Sequence, residues 1–167
     1  MILTKDEIIE LLRKRPPLVE NMIDPNIQIQ PAGIDLTVRE ICSFNSYGKI
    51  DFTNNERLIP KYSVIPFNEE GWAFLKQGAY LIKYNEIINM PLNLIAIGKP
   101  RSSLLRMGAF IVTAIWDPGY RGRSVSLLLV NNPSGIYVKK NARVLQLIFI
   151  KLSKITSSYR GIYQNER

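Results

Sequence analysis

The sequence contains no histidine and one cysteine, Cys42. Without histidine there is no Ser-His or Cys-His nucleophile pair, no imidazole general base and no zinc deaminase centre of one His and two Cys ligands. A lone cysteine excludes an intrachain disulfide and a CxxC zinc site. Chemistry must then come from carboxylates, lysine, tyrosine or a metal held by oxygen ligands. Long apolar runs are also missing: none approaches the roughly 20 residues of a membrane span, and runs such as Gly108 to Trp116 are of strand length. The chain opens on Thr4, Lys5, Asp6 and Glu7, which is not the basic-then-apolar layout of a secretory signal. These absences predict a soluble, cytoplasmic protein with no membrane partner. A last gap is local: from Pro118 through Asn165 there is no Asp or Glu.

What is present fits one domain. The 167 residues are 46% hydrophobic, enough for a core of their own. The 22 Lys and Arg exceed the 14 Asp and Glu, a formal charge of +8, and predict an anionic partner. Charge alone serves equally a basic surface in loose contact with nucleic acid.

Thr4, with Glu7 three residues on, forms a capping box, and Ile8, Ile9, Leu11 and Leu12 make an apolar face. The pattern predicts a helix over 4–14, ended by Pro16 and Pro17. Beyond it, β-branched and aromatic runs such as 79–84, 94–98, 109–115, 124–130 and 143–152 read as strands. Turn signals separate them, among them Asn54-Asn55, Glu70-Gly71, Pro118-Gly119 and Asn132-Pro133-Ser134-Gly135. This spacing predicts a mainly β fold, a jelly roll or closed barrel rather than βαβ units. No internal repeat or low-complexity tract interrupts it. The domain is expected over 1–152, with 153–167 as a mobile polar tail whose Tyr159, Arg160 and Tyr163 could serve a flap over a ligand.

Three segments carry candidate chemistry. In Asp117-Pro118-Gly119-Tyr120-Arg121-Gly122 a carboxylate follows an apolar strand and opens a Pro-Gly turn, a mount with a set direction for a catalytic base. An Asp before Pro-Gly also serves simply to bond its own turn backbone. In Lys99 to Arg106, two guanidiniums, Arg101 and Arg106, frame Ser102 and Ser103, a set that can grip phosphate oxygens. The same segment reads as a basic connection leading into a short helix. In Gln30 to Leu36, Asp35 stands between apolar residues where a strand begins, which is expensive unless it meets a cation or donor.

The ordered motifs QPAGIDL, KPRSSLLRMG, WDPGYRG, ARVLQLIF and YRGIYQ resemble those of the superfamily that joins trimeric dUTP pyrophosphatases with dCTP deaminases. The likeness runs from about Gln30 to Gln164. It implies a distorted, dUTPase-like β jelly roll, assembled as a homotrimer with active sites at subunit boundaries. It further implies that Asp117 activates the attacking water and that Tyr120 packs under the deoxyribose. By the same likeness Arg101, Ser102 and Ser103 contact phosphates, Gln146 faces the nucleotide, and Asp35 belongs to the metal-triphosphate end, acting through water. Arg106 is placed with the phosphate grip. The tail departs from the glycine-rich arm of the pyrophosphatases toward deaminase-type tails, which leaves the roles of Arg160, Tyr163 and Gln164 open.

Residues choose between the two activities. Deaminases of this superfamily are expected to carry a glutamate about ten residues after the motif aspartate, a position that falls near Leu127, with Ser126 or Leu128 one step away. None of these can shuttle a proton near neutral pH. Pyrophosphate release asks only for one carboxylate to orient water and cations to absorb phosphoryl charge. The expected reaction is therefore hydrolysis of dUTP to dUMP and pyrophosphate, by water attack at the α-phosphorus, with Mg²⁺ chelating the triphosphate. Thr113 and Ala114 are expected at the uracil edge, although Thr113 also serves as an ordinary strand residue. Leu127, Leu128 and Leu129 are expected in a trimer interior or the sheet core. Two readings stay open: a dCTP deaminase, alone or combined with the hydrolase, and a non-enzymatic β module that binds a nucleotide or nucleic acid through its basic surface.

Overall fold

A computed structural model describes residues 1–166 of the chain; Arg167, counted above in the tail, lies outside the described residues. The chain runs α1 (Lys5–Leu12), β1 (Val19–Glu20), α2 (Pro25–Gln28), β2 (Ile29–Gln30), β3 (Gly33–Phe44), β4 (Tyr62–Val64), β5 (Trp72–Leu75), β6 (Gly78–Asn89), β7 (Leu94–Pro100), α3 (Ser102–Arg106), β8 (Ala109–Val112), β9 (Arg121–Val130), β10 (Ile136–Lys139) and β11 (Arg143–Lys151). The capping box forms: the Glu7 N–H donates to Thr4 Oγ1, and the Thr4 N–H donates to Glu7 Oε2 at 2.8 Å. Among the described residues no helix is long and apolar enough to cross a membrane.

The main sheet has the strand order β7-β11-β3-β6-β9-β8, with β1 on β6 and with β2 and β4 on β3. Every described pairing is antiparallel, so hairpins and returns, not crossover helices, connect it. The sheet nearly closes, because a bridge between Ala96 and Trp116 joins β7 to the chain leaving β8, the two ends of that order. The mainly β architecture expected from sequence is the one observed. The run 109–115 is shorter as a strand than its composition suggests: β8 stops at Val112, and 113–115 cross toward the seam.

Period-2 alternation sorts side chains between the two faces. Leu36 opposite Leu145 and Ile34 opposite Leu147 fill the core together with Phe149, Val38, Ile82 and Ile88. The intervening residues take the other face. There Asp35, Gln146 and Lys99 stand side by side across β3, β11 and β7. On β9, Leu128 is core, whereas Leu127 and Leu129 turn outward opposite Val112 and Phe110. Val112 and Phe110 are 48% and 38% exposed, an apolar surface larger than scattered single residues would make.

The sheet bends where registers slip, between Val38 and Glu40, Lys83 and Ile87, and Arg143 and Leu145. Glu86, fully buried at this irregularity, accepts from the Thr37 N–H at 2.9 Å, Thr37 Oγ1 at 2.6 Å and Gln28 Nε2 at 2.7 Å. On the opposite side Arg123 donates to the carbonyls of Tyr84 and Asn85. The slip leaves backbone groups without ladder partners, and these two side chains satisfy them.

Candidate active site

Asp117 owes its position to a turn made from its own neighbours. The Tyr120 N–H donates to the Asp117 carbonyl at 3.1 Å, with Pro118 second in the turn and Gly119 third at φ +74°. That is a type II turn, whose third position needs the positive φ that glycine tolerates. Two anchors hold it. Ala96 and Trp116 exchange backbone bonds of 3.0 Å on one side, and Gly119 N–H to Met90 O (3.0 Å) and Met90 N–H to Tyr120 O (2.8 Å) close the other. The buried Trp116 indole donates from Nε1 to Ser124 Oγ at 2.5 Å, which ties the turn to β9.

Asp117 opens onto a cavity of about 420 Å³ whose wall includes Ala114, Tyr120, Ser124, Val125, Tyr163 and Glu166. The Tyr120 ring is buried and meets Tyr159 edge-on, with centroids 5.7 Å apart. Burial pushes the Tyr120 phenol above its usual range, and the Ser124 hydroxyl beside it opposes the shift. Thr113 does not line this cavity; it lies against Gly98 on β7.

The tail lies along the same turn. The Tyr159 N–H donates to Pro118 O (2.7 Å), and Gln164 bonds twice, from Nε2 to Gly119 O and through Oε1 to the Arg121 N–H, both at 2.9 Å. The Asn165 N–H donates to Arg121 O, and the Arg123 N–H to Glu166 O, each at 2.7 Å. Gln164 is thus a backbone clamp, Tyr163 a wall residue, and Arg160 exposed to solvent.

The clamp also brings a second carboxylate to the cavity. The span without acidic residues ends at Asn165, and Glu166, the next residue, folds back into the cavity, so Asp117 is not its only carboxylate. Burial raises the Glu166 pKa, and Lys83 opposes the rise. Nothing in local sequence marks Glu166 or Ser124 as site residues, whereas Tyr159 stands in the tail already read as a flap. They arrive by strand pairing and tail docking.

The phosphate-grip candidates assemble elsewhere. Asp35 is almost wholly buried, and its Oδ2 accepts from Arg101 Nε at 3.1 Å and Arg143 Nη1 at 3.2 Å. Burial raises the Asp35 pKa, and the two guanidiniums counter that rise. Arg101 leads into α3, which leaves Ser102, Ser103 and Arg106 exposed, with Arg106 turned back onto the Ser102 carbonyl. Gln146 is half-buried between Asp35 and Lys99. None of these residues lines the Asp117 cavity. Ala96 bridges Trp116, and five residues of extended chain, about 16 Å at 3.3 Å per residue, separate it from Arg101.

Comparison with known proteins matches the chain to a family. The model of a family described as dCTP deaminase-like covers residues 2–152. The chain belongs to that family. Among its relatives, a probable deoxyuridine 5'-triphosphate nucleotidohydrolase of Methanosarcina mazei is 48% identical, over 99% of this chain and 97% of that protein. A deoxyuridine 5'-triphosphate nucleotidohydrolase of Methanocaldococcus jannaschii is 43% identical, over 82% and 87%. The fold of this dCTP deaminase-like chain is similar to the crystal structure of a 2'-deoxycytidine 5'-triphosphate deaminase from Agrobacterium tumefaciens. The TM-score is 0.65 at 21% identity, and the match covers 89% of this chain but 47% of that one.

Proposed function

We propose that this protein is a dUTP diphosphatase, hydrolysing dUTP to dUMP and pyrophosphate. The observation that carries the reading is Asp117, held by the type II turn at the mouth of a cavity, while β9 offers Ser126, Leu127 and Leu128 where a deaminating glutamate would stand. The relatives named as deoxyuridine triphosphate nucleotidohydrolases support the same substrate.

In this mechanism Asp117 orients a water and takes its proton as the water attacks the α-phosphorus. Tyr120 supports the deoxyribose, and Ala114 lies at the base edge. Arg101, Ser102, Ser103 and Arg106 grip the leaving phosphates and absorb their charge. Gln146 faces the nucleotide beside them. Tyr163 and Gln164 close the tail over the nucleotide, and Arg160, exposed on the same tail, is the cation it offers to phosphate. Among the described residues no three acidic, Cys or His side chains converge. That donor set fits a hydrated Mg²⁺ carried by the triphosphate and does not fit a protein cage. When bound, the ion supplies charge neutralisation at the phosphates; Asp35, taken up by two arginines, reaches it only through water.

The absence of Arg101, Ser102 and Ser103 from the wall of the Asp117 cavity supports a homotrimer with shared sites, in which one subunit presents that cavity and a neighbour the phosphate grip. The apolar strip of Phe110, Val112, Leu127 and Leu129 is a surface such an assembly would cover.

Deamination is favoured by one observation, the second carboxylate that Glu166 brings to the cavity. Incubation with dUTP and with dCTP, assaying pyrophosphate, dUMP and ammonia, decides. Pyrophosphate from dUTP and no ammonia from dCTP is the expected result; ammonia from dCTP overturns it. Asp117→Asn is expected to lose about 10²–10⁴-fold in turnover while still binding nucleotide. Unchanged turnover removes Asp117 from its role.

A further inference from the structure

Arg143 is absent from every motif role assigned above, yet it meets the same carboxylate oxygen as Arg101. Two guanidiniums on one carboxylate leave a net positive charge. The carboxylate is 3% exposed, while the two arginine side chains are 32% and 31% exposed, so the excess charge faces solvent and Asp35 stands behind it. Each arginine is also pinned by backbone: Arg143 Nη1 donates to Ile27 O at 2.9 Å, and Arg101 Nη1 to Arg143 O at 3.4 Å. These bonds use Nη1 of Arg143, and Nε and Nη1 of Arg101. The Nη2 group of each arginine makes no hydrogen bond with the described residues. Further along this face stand Gln146 and Lys99.

We infer that Arg143 is a second guanidinium of the triphosphate grip, preorganised with Arg101 by their shared carboxylate. This rests on the proposed hydrolase reading and extends it. A guanidinium held from behind loses little freedom on meeting a phosphate, and its free Nη2 edge presents donors in the fork geometry that phosphate oxygens accept. The contact with Asp35 exists because the register slip between Arg143 and Leu145 turns residue 143 onto the face of Asp35 and Gln146.

The test uses the assembled wild-type protein, Arg143→Gln and Arg143→Lys, with inorganic tripolyphosphate and deoxyuridine as separate probes of the two ends of the substrate. Calorimetry is expected to show tripolyphosphate bound at least about tenfold more weakly by Arg143→Gln. Arg143→Lys should fall between, keeping charge without the fork, and deoxyuridine affinity should stay within about twofold. Tripolyphosphate affinity unchanged in Arg143→Gln, or equal loss of both probes, overturns the assignment. If Arg143→Gln does not fold, Arg143→Lys decides, and an unchanged tripolyphosphate affinity in it is the contrary result. Because these titrations need no turnover, failure of the grip is distinguishable from failure of dUTP hydrolysis in the wild type.

Discussion

Gly119 and Ser158 lie so close that a methyl group added to the glycine would fall 2.1 Å from Ser158 Oγ. The turn that carries Asp117 and the tail that walls its cavity therefore fit together only because the third turn residue has no side chain. Gly119→Ala must both hold a left-handed φ, which costs about 1–2 kcal/mol for an L-residue, and push Ser158 away. The expected outcome is a modest loss of global stability with release of the tail. Limited proteolysis should cut within 153–166 faster than in the wild type while the rest of the chain stays resistant. An unchanged cleavage rate would show that the tail does not depend on this contact.

Ser124 joins the buried Trp116 indole to β9. Ser124→Ala leaves Nε1 without its acceptor, a penalty of about 1–3 kcal/mol. Urea denaturation should report that loss. A melting profile identical to the wild type would mean that Trp116 finds another acceptor.

Glu86 is a carboxylate without a salt-bridge partner among the described residues, and burial raises its pKa, with the Thr37 and Gln28 bonds opposing. Since the folded value exceeds the unfolded one, its contribution to stability is complete below the ordinary glutamate range and is lost as pH rises through the raised value. The unfolding free energy of the wild type, measured relative to Glu86→Gln, should be larger at pH 5 than at pH 8. A difference that grows with pH would contradict the assignment.

Leu127 and Leu129 extend the exposed strip of Phe110 and Val112. In the proposed trimer, Leu127→Lys would place a charge within the covered apolar strip, where unpaired charge is costly. Sedimentation is expected to show a shift from trimer to monomer, with kcat/KM falling at least about a hundredfold as the two half-sites part. A trimer that persists at full activity would move the interface to another face.

Several features were legible without coordinates because they depend on near neighbours. The helix cap of Thr4 and Glu7, the Pro118-Gly119 turn and the alternation of Leu145, Leu147 and Phe149 each arise within a few residues of chain. The missing histidine and the single cysteine settled which chemistries are impossible. Other features lie between segments far apart in sequence, and no local pattern encodes them. Register slips in β3, β6 and β11 brought Arg143 to Asp35 and buried Glu86 against Thr37. Tail docking carried Glu166, the first acidic residue after Asp117 along the chain, into the cavity of Asp117. Composition and short-range chemistry determined the kind of fold and the turn that carries Asp117; tertiary pairing decided which side chains face that turn, because strand register and backbone docking set those distances.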